Sequence, residues 1–173
     1  MVRNIPLTWM CLATVFLWSC KDKPKVPDNP QRPAVVAAVD PAAGLPVAGN
    51  IAEQLQVESA ARSKDGLKVE AVVEALGKAD VPISNTMQYV ARTVLATYCF
   101  GGVTGKATAV SICEYPTPEA AKAGMEFSTK QFGSIPNRIL AVNKTAMLTL
   151  ARGTDSPESK AEAEKAIEAF TKL

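Results

Sequence analysis

One pattern of predicted elements occurs twice in the C-terminal half of this chain and constrains the fold more than any other feature. Residues 92–100 and 107–115 are rich in β-branched and aromatic side chains, and a glycine-rich stretch separates them, which predicts an antiparallel hairpin. Residues 138–142 and 145–151 predict a second, tighter hairpin with the turn Asn143-Lys144, because Asn tolerates the positive φ that a two-residue turn requires.

The same helix start follows each predicted hairpin. Thr117-Pro118-Glu119 and Ser156-Pro157-Glu158 each place a hydroxyl at the cap, Pro at the first helical position and an acid in the first turn. The two starts lie 39 residues apart, and the hairpin turns match at the same offset. The pattern predicts two ββα units. It has two explanations, an internal duplication or the independent use of a common helix start.

Two further helices are predicted before the hairpins. Residues 51–62 carry only a weak apolar stripe, whereas residues 66–78 carry a clear apolar face formed by Val69, Val72, Val73 and Leu76. Asn85, with Gln88 three residues later, predicts one short helical turn before the first hairpin.

These elements predict an α+β domain. Its predicted architecture is one or two N-terminal helices followed by two ββα units, with an antiparallel four-stranded sheet. A helix that is apolar on a single side requires a surface to cover, and a sheet provides it. The helices are therefore expected to pack on one face of the sheet.

Two cysteines flank the turn of the first predicted hairpin. The midpoint between Cys99 and Cys113 falls at Lys106, inside the turn, so hairpin register allows the two side chains to lie directly opposite each other. Paired cysteines in an exported domain favour a disulfide. The alternatives are two free buried thiols, or redox or metal chemistry.

Composition argues against several classes of function. Histidine is absent, which removes the commonest general base and the commonest metal ligand. From Ile51 onward the basic and acidic residues number 14 each, so no basic patch for nucleic acid is indicated. The glycine-rich stretch 101–106 departs from a phosphate-binding loop at Phe100 and Ala107. We therefore expect no enzyme activity, no cofactor, no metal and no nucleic-acid partner.

The chain before the predicted domain divides into two parts. Residues 21–50 contain six of the twelve prolines and no aromatic residue, a composition that cannot bury enough apolar surface to offset the entropy of ordering it. This stretch predicts a linker. Residues 51–173 are long enough for a single domain with one core.

The N-terminal residues resemble the signal peptide of a bacterial lipoprotein. Arg3 precedes a short apolar run that ends in Leu17-Trp18-Ser19-Cys20, and the run is shorter than the roughly 20 residues that a membrane-spanning helix needs. Leu17, Ser19 and Cys20 match the lipobox, whereas Trp18 is bulkier than that motif usually shows. An uncleaved anchor and a plain secreted protein are the alternatives.

The resemblance implies that residues 1–19 are removed and that Cys20 becomes the first residue of the mature protein and carries the lipid. The membrane would then be a partner through this N-terminal lipid. Lys21, rather than Asp, follows the cysteine, and in lipoproteins of enteric bacteria Asp at this place retains the protein in the inner membrane. The resemblance therefore favours the outer membrane over the inner membrane.

Together these features predict a tethered envelope lipoprotein. The expected function is a non-enzymatic protein-binding or assembly component of a cell-envelope apparatus, with another envelope protein as its partner. The alternative is a small-molecule or glycan-binding lipoprotein, which requires exposed aromatic side chains. The candidates for that role are Tyr89, Tyr98, Phe100 and Tyr115. Glu114 is the only acid placed where a cleft is expected, and it carries no predicted catalytic role.

Overall fold

The computed structural model describes residues 49–173, so the signal peptide, Cys20 and nearly all of the predicted linker lie outside the described residues. The described part is α+β, as predicted. In chain order the elements are α1 (Ile51–Ala60), α2 (Val69–Lys78), β1 (Ile83–Tyr89), a short 3₁₀ helix (Ala91–Val94), β2 (Tyr98–Thr104), β3 (Thr108–Glu114), α3 (Pro118–Phe132), β4 (Arg138–Asn143), β5 (Ala146–Arg152) and α4 (Pro157–Thr171).

The sheet has five antiparallel strands in the order β1-β2-β3-β5-β4, so the prediction of a four-stranded sheet was wrong. The additional strand is β1, which lies where the sequence predicted a short helical turn. Its register against β2 shifts between Ser84 and Met87, and Asn85 has a φ of 50°. The polar residue Asn85, which had indicated a turn, therefore belongs to a bulge in an edge strand.

The helices lie on both faces of the sheet, which corrects the prediction that they share one face. Helices α2 and α4 pack on alternate residues of the central strands, such as Val110 and Leu148, whereas α3 packs on the intervening residues Cys113 and Met147. Alternate residues of a strand point to opposite faces, and the central strands carry buried apolar residues on both, with Val110, Ile112, Leu148 and Leu150 on one face and Cys113 and Met147 on the other. A sheet of this kind has to be covered on both sides.

The two hairpin–helix sequences are present, but they are not equivalent units. Strands β2 and β3 precede α3, and β4 and β5 precede α4, yet β1 extends the first group and the two helices cover opposite faces. Both helix starts are confirmed. The Thr117 side chain accepts a hydrogen bond from the Ala120 N–H, and the Ser156 side chain accepts one from the Ser159 N–H.

Helix α1 is held by polar groups rather than by an apolar stripe. Its buried residues are Gln54 and Glu58, while Ile51 is 70% exposed. Glu58 is fully buried and accepts hydrogen bonds from the backbone N–H groups of Ala91 and Arg92 in the 3₁₀ helix. Because a buried carboxylate is costly unless it is hydrogen-bonded, these bonds fix the position of α1 on the domain.

Cys99 of β2 lies directly opposite Cys113 of β3, and the structure joins them by a disulfide beneath α3. Free thiols in the native protein would contradict this pairing.

We expect the disulfide to be formed in the native protein and reduction to lower the free energy of unfolding by about 3 kcal/mol, because the bond closes a short loop in the unfolded chain. Intact-mass measurement after alkylation, with and without prior reduction, tests the pairing. Urea unfolding of the oxidised and reduced forms tests the energy.

Candidate functional site

An apolar cleft lies between α2 and β2 on the face of the sheet that α2 and α4 cover. Its volume is about 370 Å³, and its lining, which defines the α2–β2 cleft, is Val69, Glu70, Val73, Glu74, Tyr98 and Phe100. Strand geometry explains how the aromatic residues meet, because positions 98 and 100 point to the same face of β2. On α2, positions 69 and 73 lie on the same face because residues four apart are neighbours on the surface of a helix. The result is an apolar floor with two glutamates at its rim.

Arg62 lies beside the cleft and contacts two of its lining residues, Tyr98 and Glu70. Its guanidinium carbon lies 4.2 Å from the centroid of the Tyr98 ring, within the range of a cation–π interaction. The same guanidinium donates two hydrogen bonds of 2.8 Å to the carboxylate of Glu70. Planar, bidentate recognition of this kind holds an arginine in a defined orientation. Arg62 therefore fixes both an aromatic wall and a rim acid of the cleft.

Glu114 lies behind Arg62 and is buried, with 2% of its surface exposed. Its carboxylate accepts hydrogen bonds from Arg62 and, at 2.9 Å, from the backbone N–H of Val69. Val69 is the first residue of α2, so the acid also meets the positive end of the helix dipole. Glu114 is not part of the cleft lining. Its oxygens are used to attach the start of α2 to the end of β3.

The ion pairs shift the ionisation of the groups around the cleft. Hydrogen bonds from Arg62 lower the pKa of Glu70 below its ordinary value of 4.5, and those bonds raise the pKa of Arg62. The unfolded chain therefore binds more protons at Glu70 than the folded chain does. Its stabilising contribution is present above pH 4.5 and is lost as the pH falls through the folded pKa. Burial raises the pKa of the Tyr98 phenol, so this wall of the cleft is uncharged at neutral pH.

The structure separates the residues that the sequence had grouped as candidates. Tyr98 and Phe100 line the α2–β2 cleft, whereas Tyr115 is fully buried and donates a hydrogen bond to the Val94 carbonyl. Tyr89 packs in the cluster around the disulfide, on the other face of the sheet. Two of the four aromatic candidates, Tyr98 and Phe100, therefore lie together in one cleft.

Two other depressions differ from the α2–β2 cleft in character. A groove of about 470 Å³ between α2 and α4 is bordered by charged side chains, namely Lys78, Asp80, Lys165, Glu168 and Lys172. A cleft of about 310 Å³ lies beside β4 and α4. The first is an open, charged surface, and the second belongs to the sheet edge. Of these three depressions in the described residues, the α2–β2 cleft is the one that combines aromatic walls with an apolar floor.

Residues 49–173 contain no group of three or more His, Cys, Asp or Glu side chains that could hold a metal ion. Within the same residues, no helix is long and apolar enough to span a membrane.

Sequence reasoning did not single out Arg62. It stood at the end of the first predicted helix, and its partner Glu114 is 52 positions away. No local pattern connects residues at that distance. Val73 was predicted correctly as part of an apolar helix face, but its partial exposure follows from the position of α2 at the side of the sheet.

Comparisons of the chain with protein-family models, with curated proteins and with solved structures gave no match.

Proposed function

We propose that this protein is a bacterial cell-envelope lipoprotein that acts as a non-enzymatic, protein-binding or assembly component of an envelope apparatus. Leu17, Ser19 and Cys20 support the anchor, because they match a lipobox behind a short apolar run. Lys21 supports the outer membrane as its place. The proline-rich stretch that follows supports a spacer, which would let the domain reach a partner away from the membrane.

The observation that carries the binding half of this proposal is the α2–β2 cleft. Its apolar lining is open to solvent next to an ordered arginine, a combination suited to apolar side chains of an approaching polypeptide. Glu70 and Glu74 at its rim are each 67% exposed, so they are accessible to polar or basic groups that flank such side chains. An apolar centre with a polar rim is the usual composition of a protein interface.

The ion pairs around the cleft also support a non-enzymatic function. Arg62 bonds both Glu70 and Glu114, and Lys78 lies 2.6 Å from Glu74. A general base has to be free to accept a proton from a substrate. Each acid near this cleft already has a cationic partner.

A second candidate function is the binding of a small molecule or glycan in the same cleft. The observation in its favour is that Tyr98 and Phe100 stand together in a depression of suitable size. Sugars stack on free aromatic faces, however, and one face of Tyr98 already carries the Arg62 guanidinium. The protein-binding function is therefore the better supported of the two.

We expect Val73→Lys to weaken partner capture strongly. The lysine would place a charge over the apolar floor of the cleft, and α2 is expected to persist because lysine is a good helix former. The measurement is mild crosslinking of the tagged full-length lipoprotein in intact cells, followed by affinity purification and mass spectrometry. Partner recovery is expected to fall at least about tenfold, which corresponds to about 1.4 kcal/mol of binding energy.

Ala71→Lys is the matched control, because it introduces the same side chain on α2 outside the cleft lining. Equal recovery of the partner with both variants would refute the cleft as the binding site. Recovery of a bound small molecule, with no crosslinked protein that depends on Val73, would support the second candidate instead.

A further inference from the structure

The two edges of the sheet differ in regularity. Strand β1 carries the bulge between Ser84 and Met87, and its Asn85 is in the left-handed region. Strand β4 pairs with β5 in unbroken register from Arg138 to Asn143. Bulges protect an edge strand from pairing with another chain, whereas a regular edge strand invites such pairing. Within residues 49–173, the edge formed by β4 is therefore the one suited to strand addition.

The direction of each backbone group on β4 follows from one hydrogen bond. The Arg152 N–H donates to the Asn137 carbonyl over 3.2 Å, and this pair continues the register of β4 with β5. In an antiparallel ladder, residues alternate between hydrogen bonding to the neighbour and facing away from it. Ile139 and Ala141 therefore bond β5. The backbone groups that face outward belong to Arg138, Leu140 and Val142.

Between Arg138 and Asn143 the side chains of β4 itself are apolar on both faces. On one face, Ile139 borders a cleft of about 310 Å³ whose other lining residues, all on α4, are Ala163, Glu164, Ile167 and Glu168. On the other face, Leu140 and Val142 are only partly buried beside the cluster under α3. None of the side chains between Arg138 and Asn143 is charged. Charged residues are a common device against edge pairing, and β4 lacks them in its interior.

We propose that β4 pairs antiparallel with β4 of a second copy of this chain, so that one sheet runs through a two-fold symmetric dimer. A two-fold axis normal to the sheet requires paired residues to point to the same face. The register that places Leu140 opposite Leu140 of the second copy also places Arg138 opposite its Val142. All three outward-facing residues then lie in hydrogen-bonded pairs, whereas a shift to the neighbouring register in one direction leaves Arg138 unpaired and in the other direction leaves Val142 unpaired.

A second copy fits this edge for two further reasons. In the proposed register Ile139 lies opposite Ala141 of the second copy and Arg138 faces a valine, so no like charges are opposed. A symmetric pair also ends the assembly, because the edges left outside are the two bulged β1 strands. Closed two-fold dimers are the commonest symmetric assemblies. The bulged β1 strands at the outer edges would not pair with further copies, so the assembly ends at the dimer.

The first test is a cysteine crosslink in the full chain, produced with its own N-terminal segment in intact cells. Hydrogen-bonded residue pairs lie about 5.5 Å apart between Cα atoms, within the range of about 4.4–6.8 Å that a disulfide bridges. Leu140→Cys is expected to give a disulfide-linked dimer as the main species after mild oxidation, seen by non-reducing electrophoresis. The matched control is Met87→Cys on β1, which is 55% exposed and is expected to stay monomeric.

The second test is the molar mass of the full chain in detergent by light scattering. The unmodified chain is expected to be a dimer, and Ile139→Lys is expected to weaken dimerisation at least about tenfold by placing a charge in the edge cleft. Met87→Lys is the control on the other edge. Monomeric mass of the unmodified chain at every concentration would overturn the proposal. Equal crosslinking of Leu140→Cys and Met87→Cys would also do so. Neither test involves the α2–β2 cleft, so its outcome is independent of the proposed partner binding.

Discussion

Replacing Glu114 by Ala is expected to lower the free energy of unfolding by about 3 kcal/mol. The carboxylate is 2% exposed, bonds the Arg62 guanidinium and accepts the first N–H of α2 from Val69. Removing it leaves the Val69 N–H without its acceptor and leaves Arg62 with Glu70 as its remaining carboxylate partner. This loss in the free energy of unfolding is at the lower end of the range for a broken buried ion pair, because Arg62 is 25% exposed and keeps its ion pair with Glu70. Urea unfolding of the purified protein measures the change.

Two companion variants separate the charge from other effects. Glu114→Gln keeps an oxygen for the Val69 N–H but removes the charge, so it is expected to be less destabilising than Glu114→Ala. Glu74→Ala removes an acid from an ion pair whose side chains are 67% and 74% exposed, and it is expected to leave the unfolding midpoint unchanged. A Glu114→Ala protein as stable as the unmodified chain would mean that α2 does not depend on this anchor.

Cys20→Ser is expected to leave an unprocessed precursor that incorporates no labelled palmitate and is no longer held by the lipid anchor. Hydrophobic transfer of the acyl chains supplies the attachment, at about 0.8 kcal/mol per buried methylene, so loss of the modified cysteine removes it entirely. Metabolic labelling and the electrophoretic mobility of the precursor measure both effects. Cys11→Ser is the control and is expected to be processed and labelled normally.

Processing also has an optical consequence that needs no label. Both tryptophans, Trp9 and Trp18, precede Cys20, so the mature protein is expected to show tyrosine emission only. Clear tryptophan emission from purified protein would mean that the N-terminal segment is retained. Normal palmitate labelling of Cys20→Ser would assign the lipid to another residue.

The proposed binding cleft and the proposed dimer are compatible in geometry. The α2–β2 cleft lies over β2, whereas the proposed dimer uses β4 at the far edge of the sheet, with β3 and β5 between them. A dimer would therefore present two clefts at once. Two linked sites raise the effective concentration of the second binding event, which increases avidity for a repeated or oligomeric partner.

Local patterns in the sequence predicted the elements whose causes are local. The starts of α3 and α4 follow from a hydroxyl, a proline and an acid at adjacent positions, and the structure has both caps. Both hairpins follow from strand-forming runs, although in the first one residues 92–94 lie in the 3₁₀ helix and the predicted turn residues 101–104 belong to β2. The apolar face of α2 follows from the spacing of its valines and leucine. In each case the residues that determine the structure lie within a few positions of one another.

The same local reasoning failed where the deciding partner is remote. A short helical turn was predicted at Asn85 because Gln88 follows three residues later, as in a helix cap, and only pairing with β2 makes Ile83–Tyr89 a strand. The weak stripe of α1 gave no indication that Glu58 is its buried anchor, since the donors at Ala91 and Arg92 lie more than 30 positions away.

The sequence by itself predicted an α+β domain over residues 51–173 with antiparallel hairpins and capped helices, because those outcomes depend on short-range geometry. The tertiary structure alone decided that α3 and α4 cover opposite faces, since a sheet that is apolar on both sides is compatible with either arrangement until all its layers pack. It also decided the site. The site combines residues from separate elements of the chain, namely Arg62, Glu70, Tyr98 and Glu114. Packing of α2 against β2 and β3 brings the Arg62 guanidinium into contact with two carboxylates and one aromatic ring.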